Sequence, residues 1–249
     1  MTSHDPDAPH SSAYFGGQRD HWWNKDYLEL LARRWQLDTV RTVLDVGCGI
    51  GHWGMLLASV LPAQSQVVGV ERDGRSVRRA RERARERDLP GQFDYRVGVA
   101  EDLPFDDATF DLVTCQTLLI HVPDVGQVIS EMRRVVKPGG LLIVAEPNNV
   151  ASLMVATSRD LGESLAARVE RMQFVLTCER GKVVLGEGDN SVGDLVPGIP
   201  GASRSDRCRD LRQRQGICSR AALRLRRPAR AAHRITRRLR ETQMGLVTG

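Results

Sequence analysis

The sequence has little of what disulfide-rich, membrane-spanning or secreted proteins require. Its 249 residues contain five cysteines, an odd number without a C-x-x-C pair, so we expect reduced thiols and no metal site. No apolar run approaches the roughly 20 residues of a membrane-spanning helix. The opening stretch, MTSHDPDAPHSS, lacks the apolar region of a signal peptide. These absences predict a soluble, cytoplasmic protein with no membrane partner.

Aromatic residues and lysine are also scarce, and their distribution separates the C-terminal tail from the rest of the chain. All twelve aromatic residues come before residue 175. Residues 199–249 contain 14 Arg, no Lys and three acidic residues, a net charge of +11, so residues 1–198 carry −6 of the overall +5. The basic character of the chain therefore belongs to the tail.

Between the two ends, short apolar runs alternate with helical patterns, which is typical of a parallel sheet with crossover helices. The predicted strands are Thr42–Val46, Gln66–Val70, Phe93–Val97, Phe110–Cys115 and Leu141–Ala145, and the predicted helices lie near Gly51–Val60, Arg75–Arg87 and Val125–Val136. We predict an α/β fold with a Rossmann-like, doubly wound, mostly parallel sheet. Residues 1–18 are expected to be disordered and residues 19–198 to form the domain, with a core at 40–150 and a helical substrate-side region at 151–198.

Two further helices have open interpretations. The first follows Asp20, a candidate N-cap, and we expect Trp35 to face the core, while Trp22, Trp23 and Tyr27 face either the core or a ligand under a lid. The second lies within residues 150–180, where an apolar stripe predicts a core face or a cavity wall; its members are Leu165, Val169, Met172 and Val175.

The stretch VLDVGCGIGHWG contains glycines that can be counted in two ways. Gly47, Gly49 and Gly51 give G-x-G-x-G, whereas Gly49, Gly51 and Gly54 give G-x-G-x-x-G, the spacing associated with dinucleotides. Either way, a buried strand leads through a glycine turn into a helix whose free N–H groups favour an anion. The glycines alone do not identify the ligand.

Two acidic residues narrow the choice. Asp45 lies at the end of the first strand, where a carboxylate repels a pyrophosphate and attracts an ammonium group. Glu71 ends the second strand, where an acid can accept from both hydroxyls of a ribose. Asp45 therefore favours a ligand with an amino-acid end over a dinucleotide.

The order of four segments resembles the class I S-adenosylmethionine-dependent methyltransferases, particularly the small-molecule branch that includes quinone-biosynthesis enzymes. The segments are VLDVGCGIG, VVGVERD, GVAEDLPFDDATFDLVTCQTLLIHVPD and MRRVVKPGGLLIVAEP, and together they cover about residues 40–150.

This resemblance implies a set of cofactor-binding residues. The amino-acid end of S-adenosylmethionine would lie at Asp45 and the Gly47–Gly51 turn, the ribose at Glu71 and the adenine along Arg72. Val99 replaces the family's adenine-binding aspartate, which leaves the Ala100 N–H and the side chain of Glu101 or Asp102. The complete set is Asp45, Gly47, Cys48, Gly49, Gly51, Glu71, Arg72, Ala100, Glu101, Thr114 and Gln116.

The substrate side is less defined. His121 matches the family's L-x-H-x-x-D pattern, with Asp124 starting the next helix, and is the candidate catalytic base because histidine exchanges protons near neutrality. Glu146, Asn148 and Asn149 follow the fifth strand and are candidate substrate contacts. The implied reaction is methyl transfer to an oxygen, nitrogen, carbon or sulfur atom of a small molecule.

Two interpretations of residues 199–249 remain open. The tail is either an Arg-rich arm for RNA or DNA, or the product of a frame shift near Gly198 in a GC-rich gene, the interpretation that we favour. If the frame shift occurred, we expect the antiparallel strand pair that normally completes this family's sheet to be missing. The tail would then be disordered or non-native. The alternative functions are accordingly a nucleic-acid-binding or nucleic-acid-modifying methyltransferase and, from the second glycine count, a nicotinamide-dependent oxidoreductase.

Overall fold

The computed structural model describes residues 19, 22–87, 89, 91–153, 162–199, 208–213 and 218–224. Helices and strands are numbered here in chain order. They are α1 Lys25–Trp35, β1 Thr42–Val46, α2 His52–Ala58, β2 Gln66–Glu71, α3 Gly74–Glu86, β3 Gln92–Val97, β4 Phe110–Gln116, α4 Val125–Val135, β5 Val136–Pro147, α5 Asn149–Leu153, α6 Leu165–Val184, β6 Cys208–Gln213 and β7 Cys218–Arg224.

The strands form one sheet in the order β3-β2-β1-β4-β5-β7-β6. Strands β1 to β5 are parallel, whereas β7 is antiparallel to β5 and β6 is antiparallel to β7. The chain order reverses between β1 and β4, and a doubly wound sheet binds its ligands in the crevice at the carboxyl ends of such strands. The predicted fold class and the five parallel strands are confirmed.

Both faces of the sheet are buried at β1 and β4, since successive strand residues point to opposite faces and nearly all of them are buried there. In β5, Leu142 and Val144 belong to the apolar layer that α4 covers, and Leu141 and Ile143 belong to the layer that α1 and α2 cover. Burial on both faces explains why these strands consist of nearly continuous apolar runs.

Helix α1 starts later than predicted. Its N-cap is Asn24, whose side chain accepts a hydrogen bond from the Tyr27 N–H at 3.0 Å, and Asp20 lies outside the described residues. The predicted core position of Trp35 is confirmed, since its side chain is buried. Trp23 is buried as well and stacks on Trp53, with ring centroids 4.3 Å apart. Trp23 therefore packs in the core and does not line a lid.

The apolar stripe predicted for residues 150–180 is only half correct. Met172 and Val175 are half-buried, but Leu165 and Val169 are exposed to 78% and 48%. The half-buried side of α6 also includes Lys182, which bonds to a loop of the domain. The prediction from apolar spacing was wrong for Leu165 and Val169, because α6 contacts the domain partly through polar groups.

The prediction that the C-terminal strand pair is missing is wrong. Strand β7 pairs with β5 from Leu141↔Arg224 to Pro147↔Cys218, and β6 pairs with β7. Strand pairing joins main-chain groups, so a segment without strand-type side chains can still cover the edge of β5. The frame shift and the domain boundaries at residues 18/19 and 198/199 stay predictions.

Asp111 joins the starts of β1, β4 and β5. Its Oδ2 accepts hydrogen bonds from the N–H groups of Arg41 and Thr42, both at 2.9 Å, and its Oδ1 accepts one from Lys137 Nζ at 2.9 Å. Although burial opposes the effect, these hydrogen bonds lower the pKa of Asp111 below its ordinary value. The carboxylate thereby aligns the strands whose opposite ends form the site.

Replacing this carboxylate should destabilise the fold in a pH-dependent way. We expect Asp111→Asn to lower the free energy of unfolding at pH 7 by about 2 kcal/mol, because two main-chain N–H groups and Lys137 lose a charged acceptor. Since the folded pKa is lowered, this stabilisation is present above the unfolded pKa and is lost as pH falls through the folded one. Urea unfolding should therefore show the two proteins converging towards pH 3.

Asp106→Asn is the matched control, because Asp106 is exposed. Its free energy of unfolding should stay within about 0.5 kcal/mol of the wild type. An equal loss in both variants would contradict the role given to Asp111.

Candidate functional site

Strand β1 leads into a glycine turn whose backbone adopts the left-handed region three times. The φ angles are +66° at Gly47, +53° at Gly49 and +83° at Gly51. A Cβ at Gly51 would lie 2.7 Å from Tyr95 Oη, whereas no atom of the described residues lies within 4 Å of the Cβ position at Gly49. The turn is thus packed underneath at Gly51 and open for a ligand at Gly49. The glycines that shape it are those of the G-x-G-x-G count.

Gly54 has a different role, inside helix α2. Its N–H donates to Asp45 Oδ2 at 3.0 Å, and a Cβ there would lie 3.1 Å from both Asp45 Oδ2 and Val67 Cγ1. Gly54 therefore allows the helix to approach the carboxylate, and its spacing from Gly51 carries no information about a dinucleotide.

Asp45 is buried at the end of β1, with 1% of its surface exposed. Oδ2 accepts from Gly54, while Oδ1 has no hydrogen-bond partner in the described part of the chain. Burial raises the pKa of Asp45 to about 8; the Gly54 hydrogen bond opposes the shift and the charge of Glu71 adds to it. A buried carboxylate oxygen that lacks a partner is suited to an ammonium group.

Glu71 lies beside the glycine turn although 22 residues separate it from Gly49. Its Oε2 accepts the Gly49 N–H at 3.1 Å and its Oε1 accepts the Asp73 N–H at 3.0 Å. Each carboxylate oxygen has a further lone pair, so Glu71 can still accept from hydroxyl groups. The neighbouring side chain of Arg72 is exposed.

The side chains of two predicted site residues, Cys48 and Thr114, are buried and do not face a ligand. The Cys48 thiol is buried, and burial together with the charges of Asp45 and Glu71 raises its pKa well above the ordinary value. Thr114 is fully buried and accepts from Trp53 Nε1 through its Oγ1 at 2.8 Å. Both therefore offer only main-chain groups to a ligand.

The remaining predicted residues lie on loops and strand ends around the same crevice. Ala100 is buried, Glu101 is half-buried, and the Glu101 carbonyl accepts from Gln127 Nε2 at 3.0 Å. Gln116 ends β4 and is half-buried. Val99, which stands at the position of the family's aspartate, is 47% exposed.

Glu146 does not have the substrate-facing position that the sequence predicted. Its carboxylate is fully buried and accepts from three consecutive N–H groups of the loop after β4, those of Leu118 at 2.8 Å, Leu119 at 3.0 Å and Ile120 at 3.4 Å. Burial raises the pKa of Glu146 to about 7 despite these hydrogen bonds. The loop it holds places Leu118 against Gly47.

The other two candidate substrate contacts also have local structural positions. Asn148 is buried, and its Oδ1 accepts the Ala151 N–H at 2.8 Å. Asn149 is the first residue of the short helix α5.

His121 ends a short 3-10 turn, Leu119–His121, and is half-buried. Asp124 caps α4 as predicted, with its Oδ1 accepting the Gln127 N–H at 2.9 Å. The His121 Nδ1 lies 3.4 Å from Nζ of Lys182, a residue of α6 that the sequence did not single out. No local signal identified Lys182, because its contacts cross 61 residues of chain.

The doubly wound sheet, with a glycine turn and two acids at its switch point, defines a Rossmann-type α/β protein. A family model described as "Methyltransferase domain" matches residues 37–190, more than half of the chain. The chain belongs to this methyltransferase family, which confirms the resemblance found in its four motifs. In the described part of the chain, no helix is long and apolar enough to cross a membrane.

Curated relatives match about half of the chain. The chain is 33% identical over 130 residues to a demethylmenaquinone methyltransferase of Lactiplantibacillus plantarum, which covers 52% of this chain and 53% of the relative. It is 37% identical over 129 residues to the enzyme of that name from Listeria welshimeri, covering 51% and 52%. The chain thus spans about half the length of the curated relatives it matches.

Solved structures show the same fold. A SAM-dependent methyltransferase of Methanosarcina mazei is 25% identical, with a TM-score of 0.54 over 79% of this chain and 98% of that one. A SAM-dependent methyltransferase of Aquifex aeolicus, 16% identical, has a TM-score of 0.52 over 82% of this chain and 99% of that one.

The contact between Gly54 and Asp45 can be tested by adding one methyl group. Alanine usually stabilises a helix by about 1 kcal/mol relative to glycine. In Gly54→Ala, the clash with Asp45 and Val67 should outweigh this gain and lower the free energy of unfolding by about 1–3 kcal/mol. Urea unfolding measures the difference.

Gly181→Ala is the matched control, because Gly181 lies in α6 with no atom within 4 Å of its Cβ position. It should leave stability unchanged or raise it by up to about 1 kcal/mol. A stabilised Gly54→Ala would show that Gly54 is not required for the approach of α2 to Asp45.

Proposed function

We propose that the protein transfers the methyl group of S-adenosylmethionine to a small-molecule acceptor, and that demethylmenaquinone in its reduced quinol form is the first acceptor to test. The cofactor follows from the family, and the acceptor from the name of the relatives. A reduced quinone ring is electron-rich and can attack a methyl group through carbon or oxygen.

One observation carries the cofactor assignment, namely that the buried Asp45 Oδ1, beside an open glycine turn, has no hydrogen-bond partner among the described residues. The ammonium group of a methionine-like ligand end would supply the missing partner. The carboxylate of the same end suits the N–H groups of the turn. The pyrophosphate of a dinucleotide would instead meet the acidic side chain of Glu71 and could not supply the cation that Asp45 lacks.

The remaining residues hold and separate the reactants. Glu71 has lone pairs for ribose hydroxyls, and the exposed Arg72 follows it on the adenine side. When bound, S-adenosylmethionine would supply a methyl group on positively charged sulfur to an electron pair of the acceptor, and the acceptor's proton would leave to solvent. Because the leaving group is already activated, the protein has mainly to align the partners and exclude water.

Calorimetric titration separates this function from hydride transfer. We expect saturable binding of S-adenosylhomocysteine and no measurable binding of NADH under the same conditions, because Asp45 favours an ammonium and disfavours a pyrophosphate. Tight binding of NADH alone would overturn the proposal. The acceptor is tested separately, by mass detection of the methylated quinol after incubation with S-adenosylmethionine.

The pH dependence of binding tests the position of the ligand's amino group. Since burial raises the pKa of Asp45 to about 8, the ligand-free side chain is mainly protonated at pH 6. An ammonium favours the carboxylate, so binding releases a proton, and affinity for S-adenosylhomocysteine should rise by up to about tenfold per pH unit between pH 6 and pH 8. Calorimetry measures both the affinity and the released proton.

Asp45→Asn should bind more weakly and lose this rise, because an amide does not titrate. Asp38→Asn, at an exposed position, should keep the wild-type profile. A profile in Asp45→Asn as steep as in the wild type would assign the titration to another group, such as the buried Glu146.

A further inference from the structure

We propose that Lys182 is a positioning residue that keeps Nδ1 of His121 unprotonated, so that the N–H of the neutral imidazole lies at Nε2. This assigns Lys182 a role in the site and changes the role of His121 from proton acceptor to hydrogen-bond donor. The tautomer follows from the geometry of the protein alone, whereas the use of the Nε2–H in methyl transfer rests on the proposed function.

Lys182 Nζ lies among three groups that belong to different parts of the chain. The Ile120 carbonyl oxygen is 2.8 Å away and His121 Nδ1 is 3.4 Å away, and Nζ also bonds to Asn190 Oδ1. An ammonium group has three N–H donors and no acceptor, so it can serve all three partners only if each of them accepts. A neutral amine has two N–H donors and one lone pair, so it could bond the same groups only by accepting from an Nδ1–H. The nearby charges of Glu179, Glu187 and Asp189 favour the ammonium form instead.

Two of the three partners are certain acceptors. The Ile120 carbonyl has no proton to give. The side-chain oxygen of Asn190 faces Lys182 because its Nδ2 donates to Glu179 Oε1 at 3.3 Å, and Glu179 Oε2 accepts from Ser191 Oγ at 3.1 Å. With these orientations set, the third donor of Lys182 requires a lone pair on His121 Nδ1.

The charges around Lys182 are compatible with this arrangement. Partial burial lowers its pKa, and the carboxylates of Glu179, Glu187 and Asp189 act in the opposite direction. The acids come from α6 itself and from the segment that follows it. On the side of Asn190, Lys182 therefore faces hydrogen-bond acceptors and negatively charged groups.

The loop that leads into His121 is held from two sides, so the contact between Lys182 and His121 is well defined. Glu146 accepts from the N–H groups of Leu118, Leu119 and Ile120, and Lys182 donates to the carbonyl of Ile120. Gly188, at a φ of +98°, lies so close to the Ile120 carbonyl that a Cβ would clash with it. The side of α6 that bears Lys182 is thus packed directly on this loop.

The tautomer decides what the imidazole can do. In the neutral ring one nitrogen carries the proton and the other accepts, and His121 presents the N–H at Nε2. A partner of Nε2 must then offer a lone pair, as a hydroxyl, carbonyl or phenolate oxygen does. This suits an electron-rich acceptor such as a quinol, whose oxygen can be oriented while its proton leaves by another route.

Nitrogen NMR of the full-length protein, labelled with ¹⁵N, tests the tautomer directly. The ring signals of His121 are those that disappear in His121→Gln. At pH 8 we expect an unprotonated-type signal for Nδ1 and a protonated-type signal for Nε2. A protonated Nδ1 in the wild-type protein would overturn the proposal without the need for any variant.

Three variants at α6 identify the cause. Lys182→Arg should keep the wild-type pattern, because guanidinium is also a donor without an acceptor. Lys182→Met should shift the ring nitrogens towards a mixture of both tautomers. Arg180→Met is the matched control, because it removes a charge from an exposed position two residues away, on another side of the helix, and should change nothing. Identical ring spectra for Lys182→Met and the wild type would refute the role of Lys182.

Kinetics with the reduced quinone then tests the consequence for methyl transfer. Lys182→Met should lower kcat on the order of tenfold, because the imidazole loses its orientation. Its Kd for S-adenosylhomocysteine should stay at the wild-type value, and Lys182→Arg should restore much of kcat. If the wild type does not methylate the quinol, the proposed acceptor fails, while the NMR result still decides the proposal for Lys182.

Discussion

The site depends on one constraint, which is the burial of a carboxylate at the end of β1. Asp45 has no ion-pair partner among the described residues, and the hydrogen bond from Gly54 supports it there. This hydrogen bond requires α2 to approach without a Cβ at Gly54, and the helix reaches that position only because the preceding turn passes through left-handed conformations at glycines. The carboxylate, the turn and the helix therefore form one unit, and its unpartnered oxygen is available to a cation.

A second unit, on the proposed acceptor side, is built from long-range polar contacts. Glu146 at the end of β5 holds the N–H groups of the loop after β4, and Lys182 of α6 holds a carbonyl of that loop. The same loop places Leu118 over Gly47, so this unit and the glycine turn are in direct contact. The position of His121 is a consequence of these contacts.

The parallel sheet was predictable because its strands are buried on both faces and its turns need particular residues. The predicted β1 matches the observed Thr42–Val46, and Asp45, Glu71 and the glycines were placed at strand ends by the same pattern. Three predictions failed where tertiary contacts decide. The orientation of α6 is set by its polar contacts, and Glu146 faces the interior rather than a substrate. Strands β6 and β7 form through main-chain pairing in a segment whose composition predicted no strands.

By itself, the sequence determined the fold class, the switch point and the positions of Asp45, Glu71 and the turn glycines, since local periodicity and glycine turns act over a few residues. Only the tertiary structure decided that Gly54 serves Asp45, that Glu146 is a buried acceptor for the loop, and that Lys182 meets His121. Those contacts join residues 9, 28 and 61 positions apart. Their partners are chosen by the packing of whole elements, which no short pattern encodes.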